Sequence, residues 1–221
     1  MGLENRATVL ASKSLELTLS RDGFNRERIG IESQHPSEYP ENEESGKVFR
    51  WFALMYIVSP YLPEKITTDF SVPDPIRNLI GQMYRHEGHD SPKFLLTDAR
   101  LAKGGDNLKN VFSTSKDKAV LTYSGGKDTL QNLNWMDSTY GLDNILAVHF
   151  KGMNRVNSEG EYRMSVEQSR HIGFLLEVLD LVNGSKNYGH EIMRARDMFI
   201  VGLTAPLALR FGGSKIILEG G

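Results

Sequence analysis

From residue 116 onward the chain repeats one pattern: a short, apolar, β-branched run, then a longer helical run closed by glycine. "KAVLTYS" (Lys118 to Ser124) reads as a buried strand, and "DTLQNLNWMDSTYG" (Asp128 to Gly141) as a helix stopped by Gly141. "NILAVHF" (Asn144 to Phe150) is a second strand, "SVEQSRHIGFL" (Ser165 to Leu175) a helix, and "LEVLDLVN" (Leu176 to Asn183) a third strand. "RARDMFIVGLTAPLALRFGG" (Arg194 to Gly213) is a helix ended by Gly212-Gly213, and "KIILEGG" (Lys215 to Gly221) a fourth strand. Strands alternating with helices predict an open parallel sheet with right-handed crossovers. Ligands of such sheets sit at the carboxyl ends of the strands.

The first 115 residues lack this rhythm. "ATVLASKSLELTLS" mixes β-branched and polar residues as a strand does, and "RERIGIESQ" continues it. "HPSEYPENEESGK" (His35 to Lys47) predicts an exposed loop. "VFRWFALMYIVSPYL" (Val48 to Leu62) is a buried element of either type, ended by Pro60, with Trp51, Phe52 and Tyr56 in the core. "DPIRNLIGQMYRHEG" predicts a helix with Asp74 as N-cap, Pro75 at its first position and Gly88 as its stop. "KGGDNLKNVFSTSKD" (Lys103 to Asp117) is small and polar and reads as a linker. The expected organisation is an N-terminal α+β accessory domain over 1–115 and an α/β domain over 116–221.

Composition narrows the function. With 221 residues the chain is long enough for a sizeable core. No cysteine is present, so disulfides and cysteine-based zinc sites are excluded within it, and a cytoplasmic setting is expected. The net charge of -2 and the absence of a basic run argue against nucleic acid as partner. The N-terminal residues hold no long apolar core, and "ALMYIVSPYL" is far too short for a bilayer, so no membrane association is expected.

The chemistry is concentrated in Ser124-Gly125-Gly126-Lys127-Asp128-Thr129, where a strand gives way to a helix. Two glycines let backbone N–H groups approach an anion, and the helix start adds partial positive charge. Ser124 and Thr129 offer hydroxyls and Lys127 a full charge. Asp128 would repel a phosphate unless a divalent cation lay between them, which points to a tri- or pyrophosphate with Mg²⁺. Leu121 stands where a Walker A loop needs its first glycine, so that motif is absent. "RHEGHD" (Arg85 to Asp90) lacks metal-site spacing and reads as a solvated helix end.

SGGKDT resembles the SGGxDS/T loop of the N-type ATP pyrophosphatases, also called the PP-loop superfamily, which are adenine nucleotide α-hydrolases with a Rossmann-like (HUP) fold. The resemblance covers residues 116–221, and within the superfamily it is closest to 7-cyano-7-deazaguanine synthase and its relatives, including such subunits of bacterial antiphage systems. It implies an ATP-dependent ligase that adenylates a carboxylate or carbonyl-type oxygen, releases pyrophosphate and passes the activated group to an amine or ammonia. Ser124, Gly125, Gly126, Lys127, Asp128 and Thr129 would then hold the pyrophosphate, with Asp128 on Mg²⁺ and Arg196 on the departing or adenylate phosphate. His149, with Lys151 after it, would lie near the adenine and ribose, and Gly220 beside the substrate site. Two departures stand out: Arg196-Asp197 replaces an arginine–asparagine pair, and the family's zinc-binding cysteine cluster is missing. The resemblance therefore implies an acceptor site completed by a C-terminal extension or a partner subunit, the acceptor being a small molecule or a protein. A tRNA-modifying enzyme of the same fold, or a non-catalytic ATP- or AMP-binding assembly subunit, are the alternatives.

Overall fold

The structure is a computed structural model, and it describes residues 6–13, 16–21, 25–33, 43–98, 115–152, 158–183 and 193–218. The chain divides into two compact units. One comprises Met1–Gly30, Asn42–Lys109 and Asn183–Phe199; the other comprises Ile31–Glu41, Asn110–Val182 and Ile200–Gly221.

In the first unit, strands β1 (Arg6–Lys13), β2 (Glu16–Arg21) and β3 (Asn25–Ser33) form an antiparallel meander, with β3 continuing past the unit's Gly30 boundary. Two four-residue strands, β4 (Lys65–Thr68) and β5 (Lys93–Leu96), add to β1 in parallel, giving the order β5-β4-β1-β2-β3. The ambiguous apolar run is a helix, α1 (Glu43–Val58), with Trp51 and Tyr56 both 6% exposed. It begins four residues before Lys47, so the end of the expected loop belongs to the helix's first turn. Helix α2 (Asp74–His86) starts one residue earlier than expected. The carbonyl of Pro73, not of Asp74, accepts the first helical bonds from Ile76 and Arg77, both at 3.0 Å, so Pro73 is the N-cap. Gly88 follows the helix at φ +78°, as a stop requires.

The second unit is built on four parallel strands: β6 (Ser115–Thr122), β7 (Ile145–Lys151), β8 (Leu175–Asn183) and β9 (Gly213–Ile217). The expected linker overran this sheet, because Ser115–Asp117 already belong to β6; residues 103–114 lie outside the described residues. Helices α3 (Lys127–Tyr140), α4 (Ser158–Ile172) and α5 (Met193–Phe211) connect the strands, and the first turns of α5 belong to the other unit. The spatial order is β8-β7-β6-β9. Counted along the chain this is third, second, first, fourth, so the winding reverses between β6 and β9. In open α/β sheets ligand crevices form at such a reversal, which here falls at the carboxyl end of β6.

Leu133 and Met136 of α3 are buried against Ala119 and Leu121 of β6 and Ala147 of β7. Full burial of such side chains contributes about 1.5–3 kcal/mol each. Glycine at the N-cap in place of a capping side chain costs only a few tenths of a kcal/mol. Packing therefore holds α3 in place even though no side chain caps its N-terminus. Among the described residues, no helix is long and apolar enough to cross a membrane.

Candidate functional site

SGGKDT fills the turn from β6 into α3, at the reversal of the sheet. Gly125 takes φ +83°, a conformation that side chains disfavour, and Gly126 is the extended residue before the helix. A Cβ on Gly125 would lie 2.9 Å from Ser165 Oγ, 3.1 Å from the Ser165 nitrogen and 3.2 Å from the Glu161 carbonyl oxygen. The glycine is thus required twice, by its dihedral and by the close pass of α4.

Three carbonyl oxygens in and next to the loop, which would repel an anion, are tied back into the protein. His149 Nδ1 lies 2.9 Å from the Tyr123 oxygen, and Gln168 Nε2 donates to the Gly125 oxygen at 3.2 Å. The Gly126 oxygen receives Thr129 Oγ1 at 2.9 Å and the Leu130 N–H at 3.0 Å. Thr129 is fully buried, so in this arrangement its hydroxyl braces the loop. Ser124 Oγ accepts the Gly126 N–H at 3.2 Å. Lys127 and Asp128 are exposed on the uncapped first turn of α3, side by side with the N–H groups of that turn. If the loop held phosphates, one exposed carboxylate beside it would suit Mg²⁺, which keeps most of its waters and shares its remaining ligands with the phosphates. Asp128 would hold that ion, and the ion would neutralise charge on the phosphates.

His149 ends up beneath the loop, 2% exposed. The Tyr123 oxygen can only accept, so Nδ1 carries the proton; Ser165 Oγ, 3.1 Å away, takes a second branch of that bond. Nε2 is then a bare, buried nitrogen with no hydrogen-bond partner. Burial depresses the imidazole's pKa, and Lys151 adds to this, against the Tyr123 bond and the charges of Glu161 and Asp180, which act the other way. A folded pKa below the free value of 6.5 means that the unfolded chain takes up the proton first as pH falls. Stability is therefore complete above about pH 6.5 and declines as the medium is acidified toward the folded pKa. His149→Asn, which keeps a donor for Tyr123 but cannot titrate, should flatten this acid limb. Urea midpoints of both proteins measured from pH 8 to about 5 check it, and parallel curves would contradict it.

The remaining residues are more dispersed. Lys151 pairs with Glu159 at 3.5 Å and lies over the Tyr162 ring. Arg196 belongs to the first unit, on the opening turns of α5, where its Nε meets Asp197 Oδ1 at 3.0 Å on the surface. His86 and Glu87 form an exposed pair at 3.1 Å, and no group of three or more metal-ligating side chains occurs among the described residues. Gly220 and the Lys103–Asn107 glycines lie outside the described residues. Ser165 and Gln168 make contacts, with His149 and with the glycine loop respectively, that are not legible in the sequence. Their three-residue spacing sets them on one face of α4, but nothing in "SVEQ" reveals that this face meets a glycine loop.

No protein-family model matches this chain, and a search of curated proteins returns no match.

Proposed function

We propose that the unit built on β6, β7, β8 and β9 is a Rossmann-like nucleotide-binding unit of the PP-loop type, and that the protein is an ATP-dependent, adenylating ligase. The observation that carries this reading is the position of SGGKDT: at the point where the sheet's winding reverses, on an uncapped helix start, with the carbonyls of Tyr123, Gly125 and Gly126 turned away. Such a cradle presents N–H groups and one lysine to an anion, with a carboxylate placed for the accompanying cation. In the proposed reaction an acid oxygen attacks the α-phosphorus of ATP, and pyrophosphate leaves into the loop. The activated acyl group then passes to an amine or ammonia, and AMP is released. Catalysis of this kind needs mainly positioning and charge stabilisation.

The test is pyrophosphate release from ATP and Mg²⁺ with a panel of carboxylic acids and ammonia. ATP should bind more tightly than GTP in calorimetry with Mg²⁺ present. Equal affinities would remove the adenine-specific part of the proposal, and no pyrophosphate with any acid would favour a binding subunit over an enzyme.

A further inference from the structure

Helix α4 touches the glycine loop through one side chain with two working ends. Gln168 accepts the Tyr123 hydroxyl on Oε1 at 2.6 Å and donates from Nε2 to the Gly125 carbonyl at 3.2 Å. A carbonyl oxygen cannot donate, so Nε2 must face Gly125, and the amide's orientation follows without ambiguity. Tyr123 is itself fixed: it is 2% exposed and packs edge-on against Phe174 at 5.1 Å between ring centroids. The bridge therefore runs from a rigid core tyrosine, through α4, to one peptide of the loop.

That peptide matters because of its geometry. In a trans peptide the C=O of one residue and the N–H of the next point in opposite directions. Holding the Gly125 oxygen against α4 sends the Gly126 N–H the other way, to the side of Ser124 Oγ. With glycine on both sides no Cβ resists turning the peptide over, so its orientation rests on two hydrogen bonds, Gln168 Nε2 to the Gly125 oxygen and the Gly126 N–H to Ser124 Oγ. Turned over, it would present an oxygen where the cradle presents a hydrogen.

We propose that Gln168 is a positioning residue for the anion-binding loop, its amide bridging Tyr123 and Gly125 so that the Gly125–Gly126 peptide keeps its N–H toward the bound phosphates. The inference rests on the nucleotide reading of SGGKDT and adds to it a residue outside the motif.

Gln168→Glu is the informative variant. Ionised, the new carboxylate still accepts the tyrosine hydroxyl but repels the Gly125 oxygen. Protonated, it regains a donor and can restore the bridge. Binding of inorganic pyrophosphate and of magnesium ATP should be measured for variant and wild type at matched pH, and read as their ratio. The expected result is a weakening of about tenfold or more near pH 8 that shrinks toward parity as the medium is acidified. A side chain that only stabilised the fold would not give a ratio that recovers with acid. Tyr123→Phe serves if the first variant fails to fold: it frees the amide end, and a several-fold loss is expected. Wild-type affinity in the folded variants, or a deficit independent of pH, overturns the positioning role while leaving the nucleotide reading intact. If wild type binds neither probe, the nucleotide reading itself fails.

Discussion

Asp128→Ala is expected to abolish magnesium-dependent ATP cleavage, by at least about 100-fold in turnover, while leaving the protein folded. The two effects separate because of where the residue sits. Asp128 is exposed on the first turn of α3, so it contributes almost no packing. Its interaction with the helix dipole is worth only about 0.3–1 kcal/mol. A metal held between a carboxylate and the phosphates, by contrast, loses its only protein anchor in the proposed site. Pyrophosphate release at saturating Mg²⁺ and the thermal midpoint should be measured on the same preparation. Normal turnover in the variant would refute the metal role, and a collapsed midpoint would mean that the side chain supports the fold.

Gly125→Ala should produce the largest structural effect of any single methyl in the loop. The left-handed dihedral costs a side chain about 1–3 kcal/mol. The methyl would also press on Ser165 Oγ at 2.9 Å and on two backbone atoms of α4 at 3.1 and 3.2 Å, none of which can swing away freely. Overpacking of this kind adds about 1–3 kcal/mol. Gly141 provides the control, since it has φ +78° with nothing within 4 Å of an added Cβ. Gly141→Ala should therefore show the dihedral cost alone. Denaturant titrations of both variants give the difference, which measures how tightly α4 presses on the loop. Similar losses at both positions would show that α4 yields.

Local sequence carried the second unit well because its signals are local. Parallel strands buried on both faces read as continuous apolar runs, as "AVLTY" does, and Gly141 and Gly212 mark their helix ends by positive φ. Strands β4 and β5 escaped notice because "KITT" and "KFLL" are too short to show a period. Helix α1 stayed ambiguous because an apolar run buried on most sides has no polar face to set the phase. For the site, the glycines, Lys127 and Asp128 were legible from their chemistry. The bracing by His149, Ser165 and Gln168 was not, because it depends on tertiary approach between segments with no pattern in common. Thr129 shows the limit within the motif itself: its identity suggested a ligand donor, and its burial spends that hydroxyl on Gly126.

The placement of β6 between β7 and β9 has a consequence for how the protein is made. Tyr123 and His149, which join the ends of β6 and β7, are 26 residues apart, whereas Thr122 and Ile217, which meet across β6 and β9, are 95 apart. Closing the longer loop costs only about 1 kcal/mol more in chain entropy, too little to weaken the finished sheet. In time, however, the difference is decisive. On a ribosome adding about 5–20 residues per second, β6 and β7 can pair before β9 has been made, but β6 keeps one bare edge until Gly213–Ile217 emerges. The nascent chain thus carries a parallel strand paired on one edge only, with the glycine loop at its tip, until β9 is made. Ribosome-stalled chains ending before and after β9 should differ sharply in protease resistance at this strand, because β9 is what covers the second edge of β6.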